Sequence, residues 1–206
     1  MTDIRSILSL GPVMPVIVID DAADAVPLAE SLLAGGIQSI EVTLRTDAAL
    51  SAIAQIAKDV PDMVVGAGTV LNAEQARAVR DAGAVFAVSP GATDQLIAGC
   101  EEAGITLLPG AASASEAMAL LEKGFDIQKF FPAVQAGGAP FLKALSSPLA
   151  AINFCPTGGI SLATAPDFLS LPNVICVGGS WIATKEAIRD KDWAAITAAA
   201  RHASSL

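Results

Sequence analysis

Ile127-Gln128-Lys129-Phe130-Phe131-Pro132-Ala133 sets one charge inside an apolar, strand-forming run that a proline then stops. Upstream of it, Ser113–Lys123 has helical spacing and ends at Gly124; downstream, Ile152–Pro156 is again β-rich. The unit of short strand, turn and Ala/Leu-rich helix repeats along the whole sequence. Strands are expected at Val13–Ile19, Ile37–Leu44, Met63–Gly68, Val85–Ser89, Thr106–Pro109, Ile127–Phe131, Ile152–Pro156 and Val174–Gly178. Their starts recur about every 21–26 residues, the size of one βα unit, and eight such units make a closed barrel. Helices are expected at Ala23–Ala34, Ala48–Lys58, Ala73–Ala82, Thr93–Ala103 and Ser113–Lys123, with Asp192–Ala203 trailing and an extra N-terminal helix at Asp3–Ser9. The expected fold is therefore α/β: a (β/α)8 TIM barrel in a single domain spanning 1–206, since no linker or low-complexity tract divides the chain. An open doubly wound sheet is the rival, but no GxGxxG follows the first strand.

Composition removes several function classes. A net charge of −9 with no basic stretch argues against a nucleic-acid partner. No apolar stretch reaches the roughly 18 residues of a bilayer span, and no basic segment followed by an apolar one marks a secretory signal, so a cytoplasmic protein without membrane partners is expected. Cys100, Cys155 and Cys176 sit among apolar neighbours and are expected as free buried thiols. His202 is the sole histidine and lies near the C-terminus, which makes a histidine-rich zinc site or a Ser-His-Asp triad very hard to build. Chemistry without a metal or cofactor, or no chemistry, is the expectation.

Lys129 has two readings. It is an edge charge with its stem along apolar surface and its head in water, or an amine held inside the protein. Burial disfavours an ammonium, and a lysine that has lost its proton attacks carbonyl carbons to form a Schiff base. Alternation within the strands favours the interior. Ile40, Val42 and Leu44 form an apolar face of the second strand, which turns Glu41, Thr43 and Arg45 the other way, into the barrel. In the sixth strand Phe130 takes one face, with Ile127, Lys129 and Phe131 on the other. Inward charges are costly unless they pair with each other or with a ligand. A structural ion pair capping the core and a working site both satisfy that condition.

The strand ends add detail. Gly66-Ala67-Gly68-Thr69 closes the third strand with small residues that let a ligand approach the backbone. Pro90-Gly91 and Pro109-Gly110 read as tight turns. Pro156-Thr157-Gly158-Gly159-Ile160 follows the seventh strand and Gly178-Gly179-Ser180-Trp181 the eighth. Paired glycines after both strands are where barrels bind phosphate, through backbone N–H groups and a helix N-terminus.

Together with Glu41-Val42-Thr43-Leu44-Arg45-Thr46, Gly66-Ala67-Gly68-Thr69-Val70 and Lys129-Phe130-Phe131-Pro132-Ala133, these motifs fall in the order found in the KDPG/KHG class I aldolase family. The sequence resembles that family from about residue 10 to about residue 182, without a large insertion. The resemblance implies a metal-independent carbon–carbon lyase, with no cofactor, that cleaves 2-keto-3-deoxy-6-phosphogluconate to pyruvate and glyceraldehyde 3-phosphate. It implies Lys129 as the Schiff-base lysine and Glu41 as general acid/base, with Arg45 and Thr69 at the substrate carboxylate and Pro90 and Phe131 lining the pocket. It implies Gly158, Gly159, Gly179 and Ser180 at the phosphate, and a homotrimer. Thr157 is expected in the substrate pocket and resembles the gluconate-type members, where the galactonate-type relative typically carries valine. Activity on 4-hydroxy-2-oxoglutarate or on the galactonate epimer is the alternative within the family. Outside it stands a phosphate-binding barrel isomerase or synthase that forms no imine.

Overall fold

The computed structural model describes residues 3–206. Its elements run α1 (Ile4–Leu8), β1 (Val13–Ile17), α2 (Ala25–Ala34), β2 (Ser39–Thr43), α3 (Ala49–Asp59), β3 (Val64–Gly68), α4 (Ala73–Asp81), β4 (Phe86–Val88), α5 (Asp94–Ala103) and β5 (Thr106–Leu108). They continue with β6 (Gly110–Ala111), α6 (Ala114–Glu122), β7 (Ile127–Phe130), α7 (Gly138–Leu145), β8 (Asn153–Pro156), α8 (Ala165–Leu169), β9 (Val177–Gly179), α9 (Lys185–Arg189) and α10 (Trp193–Ser204). The helix starts follow local chemistry. Asn72, Thr93 and Ser113 each accept the backbone N–H three residues on, and Glu116 reaches back to the N–H of Ala112 and the hydroxyl of Ser113.

Every strand pairing is parallel. A six-stranded arc has the order β5-β4-β3-β2-β1-β9, and a three-stranded arc the order β6-β7-β8. Single parallel bridges, Phe154 to Val174 and Thr157 to Gly178, join β8 to the β9 segment. At the other junction β5 and β6 are one run of chain interrupted at Pro109, which has no N–H to donate. Its carbonyl still accepts the Lys129 N–H at 2.8 Å. The expected fifth strand is thus two short ones, and the run does not stop at the proline. The result is an α/β fold with a curled parallel sheet.

Two apolar layers follow from the curl. The larger fills the space between sheet and helices, with Ile40, Val42, Ile53, Val65 and Phe130 among its members. The smaller lies on the concave side and joins Met14, Phe86, Val88, Leu108, Ile127, Cys155 and Cys176 to Ile7 and Leu8 of α1. The leading helix therefore plugs the interior with its buried face. Gly66 leaves the room that the Phe86 ring occupies, since a Cβ there would overlap it. Among the described residues no helix is long and apolar enough to cross a membrane.

Candidate active site

Lys129 and Glu41 meet on the concave side of the sheet. Each is almost wholly buried, at 4% and 3% exposure, and Lys129 Nζ lies 3.1 Å from Oε1 and 3.3 Å from Oε2 of Glu41. Strand periodicity places both. Lys129 stands on β7 in register with Gly110 and Cys155, and Glu41 on β2 in register with Val16 and Gly66. Gly68 completes the arrangement, because a Cβ on it would overlap the Glu41 carboxylate. The small residues at the end of β3 thus make a slot for a protein carboxylate, not for a ligand. The Phe131 ring lies with its centroid 5.5 Å from Lys129 Nζ, which gives the ammonium form a cation–π neighbour.

Arg45 lies beyond the end of β2 at Thr43; its side chain is exposed at the mouth of the curl, on the cavity that Phe131 and Thr157 also border. Its Nε donates to Thr69 Oγ1 at 3.2 Å. Thr69 holds φ at +60°, in the left-handed region that a β-branched residue rarely adopts. Such strain persists only where the surroundings over-determine it. Here the Leu44 N–H donates to Gly68 O at 2.8 Å on one side and the Val70 N–H to Val88 O at 3.1 Å on the other.

Arg45, Phe131, Thr157, Gly158, Gly159 and Ser180 border one cavity of about 120 Å³, with Val16 and Val18 of the first strand and its extension. The valines were not singled out from sequence, although alternation along Val13–Ile19 puts both on one face. Gly158 and Gly159 sit at φ +105° and +77°, which L side chains rarely adopt, so this turn requires glycine. The turn is stitched to the chain after Lys129: Ala133 N–H donates to Thr157 O at 2.8 Å and Val134 N–H to Gly158 O at 3.1 Å. Gly178 leaves room for the Thr157 hydroxyl, and Gly179 for the Trp181 ring. No helix starts at either glycine pair, because α8 begins at Ala165 and α9 at Lys185. The expected helix N-terminus does not contribute, and the loop backbone is what faces the cavity.

Pro90 falls elsewhere. It is half-buried with its carbonyl against Gly110, and it lines a separate cavity of about 210 Å³ that Glu116 and Lys123 also border. The structure thus brings together Lys129, Glu41 and Phe131 inside the curl, and sets Arg45, Thr157, Gly158, Gly159 and Ser180 around one cavity with Thr69 held against Arg45. Gly179 is left buried at the end of β9, outside that cavity's lining.

The sequence matches the family described as "Aldolase: KDPG and KHG aldolase" over residues 4–199. A Pseudoalteromonas atlantica protein named 2-dehydro-3-deoxy-phosphogluconate aldolase is 51% identical over 199 residues, which cover 97% of this chain and 93% of that protein. The KHG/KDPG aldolase of Escherichia coli is 48% identical over 98% of this chain and 95% of its own length. The crystal structure of KDPG aldolase from Legionella pneumophila, with pyruvate captured at low pH as a covalent carbinolamine, covers 98% of both chains. It is similar to this chain at a TM-score of 0.96 and 47% identity. With a family match along nearly its whole length, and relatives close to half identical, the chain belongs to the KDPG and KHG aldolase family.

Proposed function

We propose that the protein is a Schiff-base aldolase that cleaves 2-keto-3-deoxy-6-phosphogluconate into pyruvate and glyceraldehyde 3-phosphate. The observation that carries this reading is the buried amine of Lys129 held 3.1 Å from the Glu41 carboxylate, next to an anion-sized cavity built from glycine loops. Lys129 Nζ attacks the substrate C2 carbonyl, and the carbinolamine loses water to give a protonated imine. Glu41 is placed to take the Lys129 proton beforehand and, directly or through water, the C4 hydroxyl proton as the C3–C4 bond breaks. The bonding electrons move into the imine, which becomes an enamine, and glyceraldehyde 3-phosphate departs. Protonation at C3 and hydrolysis then return pyruvate and Lys129.

The rim supplies position. Arg45, with Thr69, takes the substrate carboxylate in a bidentate geometry that lysine cannot reproduce. Gly158, Gly159, Gly179 and Ser180 take the phosphate, and Phe131 and Thr157 line the space between. Remote binding energy is thereby converted into orientation at C2. Pro90 has a weaker claim, since it borders the neighbouring cavity. The test is borohydride reduction in the presence of pyruvate, read by peptide mass. A pyruvyl-derived group on Lys129 is expected; labelling at another lysine, or none, overturns the mechanism.

The name of the Escherichia coli relative favours a second activity, on 4-hydroxy-2-oxoglutarate. That substrate presents a carboxylate where the sugar acid carries its phosphate chain, so it would forgo the glycine loops. Comparison of kcat/KM on the two substrates and on the galactonate epimer separates the readings.

We take the two arcs of the sheet as one closed (β/α)8 barrel with an extra N-terminal helix, in a single domain spanning 1–206. The bridges from β8 to the β9 segment and the continuity across Pro109 support it. A cytoplasmic homotrimer is the assembly expected from the family. Leu71, 52% exposed just past β3, is apolar surface of the kind such contacts cover. Light scattering of the purified protein at the mass of three chains tests it.

A further inference from the structure

Cys155 and Cys176 lie with their sulfurs 3.5 Å apart inside the curl of the sheet. Both belong to the concave-side cluster, at 2% and 0% exposure, and Cys155 is the direct cross-strand neighbour of Lys129. Two features of the backbone bring the sulfurs together. Phe154 bridges Val174 and Thr157 bridges Gly178, so Cys155 and Pro156 face three residues, Ile175, Cys176 and Val177. The extra residue is a bulge, which re-aims a side chain and leaves local slack in the strand.

From this geometry we propose that Cys155 and Cys176 are an oxidisable pair, closed to a disulfide by hydrogen peroxide, whose closure disables the aldolase site. The sulfurs need approach by only about 1.5 Å to reach bonding distance. The Cys155 sulfur attacks one peroxide oxygen, which breaks the O–O bond and leaves a sulfenic acid and hydroxide. The Cys176 sulfur then displaces the second oxygen as hydroxide. With the two thiol protons, the products are one disulfide and two waters; the sulfur pair loses two electrons and the peroxide gains them.

Several observations make the pair the reactive one. The Cys176 thiol donates to the Cys155 sulfur, which lowers the Cys155 thiol against the opposing effect of burial, while the charges of Lys129 and Glu41 act on it in opposite directions. The same hydrogen bond, then burial, raises Cys176 well above its ordinary value, so the pair favours one thiolate, at Cys155. Cys100 belongs instead to the outer layer of the core, where burial pushes its thiol up to about 11. Closure would reach the site by covalent connection. Cys155 is two residues before Thr157, and Cys176 two before Gly178, and the Thr157 hydroxyl fills the space that Gly178 leaves.

Burial sets the choice of oxidant. Hydrogen peroxide is small enough to reach thiols buried this deeply, whereas glutathione disulfide is not. The activity arm of the test rests on the aldolase reading; the mass arm does not. The protein is treated with peroxide, the remaining thiols are alkylated, and the peptides are mapped. A crosslink between the Cys155 and Cys176 peptides is expected, with two hydrogens lost, Cys100 alkylated, and turnover falling in step. Dithiothreitol should open the crosslink and restore turnover, and Cys176→Ala should keep its turnover under peroxide. Sulfinic or sulfonic products without a crosslink overturn the proposal, as does a crosslink that leaves turnover unchanged. If Cys176→Ala fails to fold, the peptide map of the unaltered protein decides alone.

Discussion

Lys129 and Glu41 are held by ladder-paired strands, whereas Arg45, Thr69, Gly158 and Gly159 are held by the loops that leave those strands. The strand-borne pair is nearly inaccessible and sets an amine 3.1 Å from a carboxylate. The loop-borne set has one exposed cation and otherwise offers backbone in conformations suited to glycine. A reacting amine needs a fixed, dry position, which a parallel ladder supplies at small entropic cost because its residues are already ordered. An anion that must enter and leave is better met at the rim. The two sets should therefore fail differently when altered, the strand pair in turnover and the rim in affinity.

Lys129→Met should give the largest effect, removing essentially all turnover. It also leaves Glu41 as a buried carboxylate without its cation, which costs about 3–5 kcal/mol when one partner of a buried pair is removed. The double variant Lys129→Met with Glu41→Gln should recover most of that stability while staying inactive. Denaturant unfolding beside a pyruvate-release assay reads both quantities. Residual turnover in Lys129→Met would break the comparison at its root.

Gly68→Ala tests whether the slot matters as well as the carboxylate. A Cβ there overlaps Glu41 Oε1, so the carboxylate must leave its place beside Lys129 Nζ. Turnover should fall by roughly 10²–10⁴-fold, as for Glu41→Gln, because both remove general acid/base help. Pyruvate should still be trapped on Lys129 by borohydride. Wild-type kcat in Gly68→Ala would show that Glu41 acts from some other position.

How much of this was legible in the sequence follows the same division. Alternation read Glu41 and Lys129 correctly because both lie inside ladder-paired strands, where the two-residue period is enforced by hydrogen bonds. It gave Arg45 the side of the cavity but not its exposure, because β2 ends at Thr43 and the residue stands at the mouth. The occupant of the Gly68 slot could not be read, since it arrives from a neighbouring strand far away in sequence. The pattern does not mark α7, α8 or α9: the first opens on glycine, the second carries proline in its first turn, and the third is only five residues long. The two glycine pairs were readable as turns, but the helix N-terminus expected beside them begins several residues too late to face the cavity.

On the rim, Gly158→Ala should raise KM and leave kcat nearly unchanged. The residue holds φ at +105°, and its Cβ would come to 3.3 Å from Pro132 Cα, so the loop must shift. A left-handed penalty of about 1–2 kcal/mol corresponds to roughly a tenfold rise in KM if it is felt only in binding. Steady-state kinetics on the phosphorylated substrate reads it. The same variant should change KM little for 4-hydroxy-2-oxoglutarate, which has no phosphate to place. An equal rise for both substrates would mean that the loop serves the whole site.

The smallest effect is expected at Thr69, where strain and binding are set against each other. At φ +60° a threonine is held against its own preference, and glycine adopts that conformation freely. Thr69→Gly should therefore gain up to about 1 kcal/mol, after glycine's larger loss of chain entropy, and raise Tm by about 2–4 °C for a chain of this size. It also deletes the hydroxyl that receives Arg45 Nε at 3.2 Å, so the guanidinium loses its anchor and KM should rise. Thr69→Ser keeps the hydroxyl and should leave KM near that of the parent, which separates anchor from backbone. A more stable but weaker-binding Thr69→Gly would mean that the rim holds strain in order to aim one cation. If the variant is less stable than the parent, the left-handed threonine is supported by packing that outweighs its strain, and the rim then resembles the strand pair more closely than the geometry of Arg45 implies.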